Sequence, residues 1–209
     1  MTAESPTIFV IDDDRSFLTA VTRWLHATGY RVKSFTSAAE FIEHYSSDMP
    51  GCVIADLRMP GLSGLDLQDT LIKADRPMPV IFLTGHGDIP TSVRAMRHGA
   101  EDFLTKRAPK EELLDAVKRA LVRDVQAREQ RVRLRELRAR FEALTPRERE
   151  VMAHMISGQL NKQIAYDLGA SERTIKAHRA NLMDKLGLQS VAELVRLTEE
   201  LGIAPSRGG

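Results

Sequence analysis

Five polar residues that could serve phosphoryl transfer stand at the ends of four short apolar runs. They are Asp12 and Asp13, Asp56, Thr84 and Lys106. Crowded carboxylates repel one another and need a cation, and hard oxygen ligands suit Mg²⁺, which often binds carboxylates together with a phosphate. A carboxylate can form an acyl phosphate, so Asp56 is the candidate nucleophile, while Thr84 and Lys106 could bind phosphoryl oxygens. The set predicts magnesium-assisted phosphoryl chemistry on Asp56.

The elements that must hold these residues alternate between predicted strands and predicted helices over the first 120 residues. Short apolar or alternating runs predict strands at 7–11, 31–35, 52–55, 80–83 and 102–105. Helical spacing and capping residues predict helices at 15–28, 38–45, 64–74, 90–98 and from Pro109 onward. Such alternation is typical of a parallel, doubly wound sheet, whose ligands bind at the carboxyl ends of the strands. The five polar residues should therefore meet at one edge of the sheet.

The two halves of the chain carry opposite charge. Residues 1–117 contain 12 Lys+Arg and 17 Asp+Glu, a net charge of −5, whereas residues 118–209 contain 18 and 12, a net charge of +6. This asymmetry favours two domains, the second of which is a candidate for nucleic-acid binding.

The composition also bears on the cellular compartment. A hydrophobic content of 43% and a charged content of 28% are typical of a soluble globular protein. No apolar run approaches the roughly 20 residues of a membrane helix, and the first six residues lack the regions of a signal peptide. The single cysteine, Cys52, lies in an apolar run, which favours burial over reactivity. We expect a cytoplasmic protein without membrane contact.

A charged segment without Gly or Pro, residues 111–141, predicts one continuous helix. Its apolar residues follow imperfect heptad tracks, one of which contains Leu121, Val125 and Val132. Two interpretations stay open: a connector that pairs with a second copy, or a single solvated helix. The predicted division of the chain is a domain at 1–120, a helical linker at 121–142, a domain at 143–204 and a disordered tail at 205–209.

The domain at 143–204 is predicted to be all helical. Its helices are predicted at 146–157, 161–168, 172–186 and 191–201. Thr145, Pro146 and Glu148 form a capping signature at the first of them. The second and third form a helix-turn-helix, and the third has an apolar face opposite a face of cations and Asn181. That pattern is typical of a recognition helix in the major groove, although a solvated basic helix would share it.

Four stretches of the front half resemble the receiver domain of bacterial response regulators, over about residues 6–120. They are Val10-Ile11-Asp12-Asp13-Asp14, the stretch from Asp56-Leu57-Arg58-Met59-Pro60 to Gly64, that from Leu83-Thr84-Gly85 to Asp88, and that from Gly99-Ala100-Glu101-Asp102 to Lys106. The resemblance implies a flavodoxin-like, five-stranded parallel sheet of order 2-1-3-4-5. It also implies that Asp56 accepts a phosphoryl group from a histidine kinase, with Mg²⁺ as cofactor.

The same resemblance implies roles for further residues. Asp13, Asp56 and the backbone carbonyl of Arg58 would hold Mg²⁺, with Asp12 acting mostly through water. Thr84 would follow the phosphoryl group inward, and Phe103 would rotate with it.

The junction after Lys106 departs from the family pattern. The family usually has proline directly after this lysine, often through a cis peptide bond, whereas Arg107 stands here. A cis bond before a residue other than proline costs about 2.5–4 kcal/mol. We therefore expect a trans bond between Lys106 and Arg107 and a differently shaped loop.

Three stretches of the back half look like the LuxR/NarL-type four-helix DNA-binding domain, over about residues 143–204. They begin at Leu144-Thr145-Pro146, Asn161-Lys162-Gln163 and Ser171-Glu172-Arg173. The match implies phosphate contacts for Lys162 and Thr174, positions towards base edges for Lys176 and Ala177, and a dimer contact for the last helix. With the remaining basic residues, the candidate DNA-contacting set is Lys162, Arg173, Thr174, Lys176, Ala177, His178, Arg179 and Lys185. Glu148 is expected to brace the fold.

The combination resembles the FixJ/StyR branch of the NarL family, that is, a two-component transcriptional regulator. Phosphorylation of Asp56 would promote a homodimer that presents two recognition helices to two half-sites, with RNA polymerase as a further possible partner. We expect no enzyme activity beyond slow self-dephosphorylation.

Two alternatives stay open. One is a DNA-binding dimer that is independent of phosphorylation, in which the Lys106–Arg107 departure has disabled the switch. The other is an aspartate-nucleophile phosphatase of the haloacid dehalogenase type, because Asp12-x-Asp14 follows the first strand. Against the second, Arg15 comes next and no segment is free to form a cap over a substrate.

Overall fold

The computed structural model describes residues 5–46, 49–73, 78–85 and 89–203. The chain divides into two compact units between Arg128 and Glu129. Three predictions lie outside the described residues: the end of the helix predicted at 64–74, the end of the third receiver-like stretch at 86–88, and the disordered tail at 205–209.

The first unit is built on a five-stranded sheet. Its strands are β1 (Thr7–Ile11), β2 (Arg31–Phe35), β3 (Gly51–Ala55), β4 (Val80–Thr84) and β5 (Asp102–Thr105). They lie in the order β2-β1-β3-β4-β5, and each neighbouring pair is parallel. The predicted α/β class and strand order are confirmed. The strands are parallel because a helix after each strand returns the chain to the same end of the sheet.

Helices cover both faces of this sheet. They are α1 (Arg15–Ala27), α2 (Ala38–His44), α3 (Gly64–Lys73), α4 (Ile89–Arg97) and the first part of α5 (Lys110–Glu142). Helices α1 and α5 pack on one face around Leu25, Ile54 and Val117, and α2 and α3 pack on the other around Phe41 and Leu67. Strands β3 and β4 are buried along their whole length, which explains why their sequences are continuous apolar runs.

Helix α5 is continuous and contains the whole segment predicted as a linker. Its residues up to 128 belong to the first unit and its later residues to the second, where Leu137 and Phe141 join the core. On the predicted heptad track, Leu121 packs against the first core, whereas Val125 and Val132 are 49% and 54% exposed. The continuous helix is confirmed, and its pairing with a second copy stays a prediction.

The second unit contains four helices beyond α5 in the described part of the chain. They are α6 (Pro146–Ile156), α7 (Asn161–Asp167), α8 (Glu172–Leu186) and α9 (Val191–Glu200). Each ends within one residue of its predicted end, and Thr145 and Glu148 form the predicted capping box. Val151, Ile164 and Leu182 are fully buried in the common core. Through both units, none of the described helices has the length and apolar composition that crossing a membrane requires.

Candidate functional site

Backbone hydrogen bonds fix the residues that follow the strand ends. Asp56 N–H donates to Ile11 O at 2.9 Å, and Lys106 N–H donates to Thr84 O at 2.8 Å. Thr84 and Thr105 lie opposite each other in the β4–β5 register. The ladder therefore continues past the strands and brings Asp56, Thr84 and Lys106 to one edge, where parallel sheets bind ligands.

Lys106 lies between two aspartates. Its Nζ is 2.7 Å from Asp12 Oδ2 and 2.8 Å from Asp56 Oδ2, and the lysine side chain is 17% exposed. The same Nζ lies 4.5 Å above the centroid of the Phe17 ring of α1, an additional favourable cation–π contact. Because both carboxylates are buried, this contact is screened less than a surface ion pair.

Burial raises the pKa of Asp12 above its ordinary value, and the hydrogen bond from Lys106 offsets this effect only in part. For Lys106, burial lowers the pKa, but the hydrogen bonds to Asp12 and Asp56 outweigh burial and leave the pKa raised. The ammonium is thus held in its charged form, while the charge on Asp12 costs free energy. Additional positive charge at this edge would stabilise the ionised form of Asp12.

Three carboxylates could hold a metal ion here. Asp12, Asp13 and Asp56 each offer one oxygen, and these oxygens lie within 4.8 Å of one another. Asp13 is exposed, so the cluster opens to solvent. The hard oxygen donors fit Mg²⁺. Arg58 is held beside the cluster, since its N–H donates to Asp56 Oδ1 at 3.3 Å; the role of its carbonyl as a ligand stays a prediction.

Thr84 is the last residue of β4, and Phe103 is the second residue of β5, opposite Phe82 of β4. Thr84 is 1% exposed. Phe103 is half-buried and packs against the core on the α2–α3 face, with its ring centroid 6.3 Å from that of Phe82. Their movement on phosphorylation stays a prediction.

Helix α3 begins against the backbone of Asp56. A Cβ atom at Gly64 would lie 2.4 Å from Asp56 O and 2.9 Å from Phe82 Cε1. The nearest atom belongs to the backbone and cannot rotate away, so a larger residue would displace either α3 or the chain at Asp56. The absence of a side chain at Gly64 therefore allows α3 to begin this close to Asp56.

The Lys106–Arg107 bond is trans, like every peptide bond between described residues. The trans bond expected from the missing proline is therefore confirmed, and the different shape of the loop stays a prediction. The chain turns directly after the strand, with Ala108 N–H donating to Thr105 O at 2.9 Å. Lys106 reaches both aspartates with this local geometry.

Helix α8 presents a polar face to solvent. Its exposed residues include Arg173, Thr174, Lys176, Ala177, Ala180 and Asn181, while His178 and Arg179 are half-buried. Ile175, Leu182 and Leu186 face the core. Thr174 Oγ1 is 2.8 Å from Ser171 Oγ at the start of the helix. On α7, Lys162 is exposed.

One member of the predicted DNA-contacting set has an internal partner. Lys185 Nζ lies 2.7 Å and 3.0 Å from the two carboxylate oxygens of Glu148, which is buried and also accepts from Thr145 N–H at 2.8 Å. The hydrogen bond from Lys185, followed by that from Thr145, holds the pKa of Glu148 below its ordinary value. This internal pair argues against a DNA contact for Lys185, and the contacts of Glu148 agree with its expected role of bracing the fold.

Both units match known protein families. Residues 8–118 match the family described as "Response regulator receiver domain". Residues 142–198 match "Bacterial regulatory proteins, luxR family". The chain belongs to the response regulators of the NarL/FixJ family. It is a two-component response regulator with a receiver domain and a LuxR-type DNA-binding domain.

Named relatives match this response regulator over most of the length of both chains. Nodulation protein W of Bradyrhizobium diazoefficiens is 44% identical over 197 residues, which cover 94% of this chain and 87% of the relative. Response regulator protein TmoT of Ectopseudomonas mendocina is 42% identical over 201 residues, covering 96% and 91%.

Solved structures agree with this assignment. The response regulator StyR superposes with a TM-score of 0.81 at 42% identity, covering 94% of this chain and 99% of StyR. Full-length FixJ from B. japonicum gives a TM-score of 0.57 at 37% identity, covering 97% and 100%.

Three residues of this response regulator were not among the predicted site residues. Phe17 was covered only by the predicted helix at 15–28, Gly64 appeared only in a motif, and exposed Ala180 was not considered for the polar face of α8. Helical periodicity could have placed Ala180 beside Ala177, three residues earlier. The contacts of Phe17 and Gly64 depend on tertiary packing, and no local signal in the sequence indicates them.

Proposed function

We propose that this response regulator is phosphorylated on Asp56 by a histidine kinase and that Mg²⁺ is its cofactor. The observation that carries the proposal is the position of Lys106, whose ammonium lies 2.8 Å from Asp56 Oδ2. A phosphoryl group on Asp56 would carry negative charge into an edge where this cation is already fixed. Phosphoryl transfer depends chiefly on such positioning and charge neutralisation.

The acidic cluster supports the proposal that Mg²⁺ is the cofactor. Asp12, Asp13 and Asp56 would hold Mg²⁺ through carboxylate oxygens, with Arg58 as a further proposed ligand through its carbonyl. When bound, the ion neutralises charge on the transferring phosphoryl group. Two side chains of the protein would contact the phosphoryl group: Lys106 pairs with one phosphoryl oxygen, and Thr84 donates a hydrogen bond to another.

We also propose that the protein is a phosphoacceptor and not a phosphatase. Asp14, the second acid of the Asp-x-Asp pattern, accepts hydrogen bonds at 2.9 and 3.2 Å from the N–H groups of Ser16 and Phe17. It therefore serves as the N-cap of α1. A carboxylate used in this way stabilises a helix start, so the aspartate pattern needs no catalytic explanation.

The proposed output is phosphorylation-dependent dimerisation and binding of α8 to two DNA half-sites. The exposed cations Arg173 and Lys176, together with Lys162 of α7, support this proposal. Contact with RNA polymerase would follow at promoters. With DNA and RNA polymerase as partners, the proposed location is the cytoplasm.

Intact-mass measurement with acetyl phosphate tests the phosphorylation step. In MgCl₂ the parent protein should gain one phosphoryl group, and in EDTA it should gain none. Asp56→Asn should remain unmodified in both, whereas Asp14→Asn, which keeps a helix-capping side chain, should behave like the parent. A phosphoryl group on Asp56→Asn would refute the assignment of the acceptor.

DNA binding can be tested on a duplex selected from a random pool with the beryllofluoride-treated parent. Lys162→Ala should reduce the salt dependence of binding by about one phosphate contact. Lys176→Ala should cost about 1–3 kcal/mol and relax base preference. Arg138→Ala, an exposed cation on α5, is the control and should change neither.

The same duplex separates the switch from its alternative. If Asp56→Asn binds it as tightly as the beryllofluoride-treated parent, the protein is a DNA-binding dimer without a phosphorylation switch.

A further inference from the structure

A buried carboxylate on α5 has no part in the phosphorylation chemistry. Asp124 is 2% exposed and lies in the segment that the sequence analysis assigned to a linker. Its Oδ2 accepts from the N–H of Gly51 at 2.9 Å and from Arg128 Nε at 2.7 Å. A buried charge needs such partners because its desolvation is costly. This carboxylate therefore joins α5 to the first residue of β3.

The start of β3 leaves little freedom at this junction. Gly51 has φ +148°, and a Cβ atom there would lie 1.8 Å from Thr7 O of β1. The N–H that meets Asp124 is thus fixed in direction by the packing of two strands. Arg128 adds a second contact to the same loop, since its Nη2 donates to Met49 O.

Within the turn and a half of α5 that precedes Asp124, two arginines bind the beginning of β5 and the residue before it. Arg119 lies 2.5 Å from Asp102 Oδ2 and 3.7 Å from Glu101 Oε1, through Nη2 and Nε respectively. Arg123 Nη1 lies 3.2 Å from Glu101 Oε2. We call the four residues of α5 that make these contacts, Arg119, Arg123, Asp124 and Arg128, the α5 strap.

The strap and the phosphorylation site lie at opposite ends of the same two strands. Strand β3 runs from Gly51 to the residue before Asp56, and β5 runs from Asp102 to the residue before Lys106. At the far ends, Lys106 Nζ and Asp56 Oδ2 are 2.8 Å apart. Five extended residues span roughly 17 Å. A phosphoryl group on Asp56 would act on the Lys106–Asp56 contact at the carboxyl ends of β3 and β5, and the strap is attached to the starts of both strands.

We propose that the α5 strap couples the phosphorylation state of Asp56 to the connector part of α5, residues 129–142. This inference rests on the proposed phosphorylation. Ion pairs of a buried carboxylate demand exact geometry, so a relative shift of β3 and β5 changes which strap contacts are kept. Asp124 and Arg128 are the last residues of α5 in the first unit. They are positioning residues, which act on the output through the helix that follows them.

The variant Asp124→Asn tests the strap with little change in volume. Its control is Asp115→Asn, which removes an exposed ion pair with Lys118 on the same helix, with both side chains 62% exposed. Arg128→Gln, at a less buried position (24% exposed), provides a second disruption if Asp124→Asn fails to fold. The first measurement is amide hydrogen exchange without beryllofluoride. The amide of Gly51 and those of residues 124–132 should exchange at least about tenfold faster in both strap variants, as expected when a hydrogen bond to a charged group is lost. Unchanged exchange would overturn the proposal.

The second measurement is the ratio of DNA affinity with and without beryllofluoride and MgCl₂, on the selected duplex. In the parent and in Asp115→Asn the ratio should be about fivefold or more, the usual range for coupled sites. In the strap variants it should fall to about twofold or less, while Asp56 still binds beryllofluoride, as monitored by the fluorescence of Trp24. A ratio that stays at the parental value in the strap variants would refute the coupling through the strap and leave the proposed phosphorylation untouched. If the DNA affinity of the parent itself does not respond, the proposed phosphorylation-dependent DNA binding fails, and the coupling fails with it.

Discussion

Replacing Lys106 by methionine removes the ammonium between Asp12 and Asp56 while keeping an unbranched side chain. Two unit charges about 4 Å apart interact by roughly 4 kcal/mol at an effective dielectric constant of about 20. Loss of one partner from a buried pair costs roughly 3–5 kcal/mol. Because Lys106 is 17% exposed, water can replace part of its interaction. We expect the free energy of unfolding in EDTA to fall by about 2–4 kcal/mol.

Mg²⁺ should reverse part of this loss. The cation and the Lys106 ammonium compete for the carboxylates of Asp12 and Asp56, so the variant should bind Mg²⁺ about tenfold more tightly than the parent. In saturating MgCl₂ the difference in unfolding free energy should therefore shrink by about 1.4 kcal/mol, to about 0.6–2.6 kcal/mol. The pKa of Lys106 is raised in the folded protein, so its contribution is fully present below its unfolded pKa and is lost only as the pH rises through the folded pKa. The difference in EDTA should therefore be constant around neutral pH.

Urea unfolding followed by circular dichroism, in EDTA and in MgCl₂, measures both effects. Lys110→Met is the matched control, because Lys110 Nζ lies 5.6 Å above the Trp24 ring. It should cost about 0.5–1 kcal/mol, with no dependence on MgCl₂. If Lys106→Met costs under about 0.5 kcal/mol, or costs the same with and without MgCl₂, the lysine does not neutralise the acidic cluster.

Three further substitutions examine separate contacts. Gly64→Ala should lower the free energy of unfolding by about 2–3 kcal/mol, because its Cβ atom would overlap Asp56 O; an unchanged urea midpoint would contradict the steric argument. Lys185→Met should lower the free energy of unfolding by about 1 kcal/mol at neutral pH, allowing for the exposure of Lys185. It should leave the salt dependence of DNA binding intact. Because the pKa of Glu148 is lowered in the folded protein, the loss of stability should disappear as the pH falls below 4.5. Asp12→Asn in EDTA should raise stability at neutral pH, because burial raises the pKa of Asp12 and its ionised form is penalised above 3.8; a gain that persists in strong acid would show another cause.

The receiver site could be predicted from local sequence because its geometry follows from topology. Each of its polar residues comes directly after an apolar run, and parallel strands place all such positions at one edge. The order of strands also follows from the family resemblance. The position of Gly64 within 2.4 Å of Asp56 O could not be predicted, because it depends on the angle at which α3 packs.

Partners that are distant in sequence account for the other differences. Counting helical positions placed Lys185 among the cations of α8, but Glu148, its partner, lies 37 residues earlier. The boundary drawn at residue 120 likewise treated Asp124 as part of a linker, although its hydrogen-bond partner Gly51 lies 73 residues away. A periodic pattern identifies a face of a helix and does not identify what another element brings to that face.

The junction after Lys106 shows how such distant contacts can outweigh a local departure from a family pattern. The sequence has Arg107 where the family usually has proline, and the bond between them is trans. Yet the backbone N–H of Lys106 donates to Thr84 O at 2.8 Å, which continues the β4–β5 ladder by one residue. That bond fixes where the lysine side chain starts, and two buried carboxylates fix where it ends. The position of Lys106 is thus determined by strand pairing and charge, so a change of the residue at position 107 alone should leave the Lys106–Asp56 contact in place.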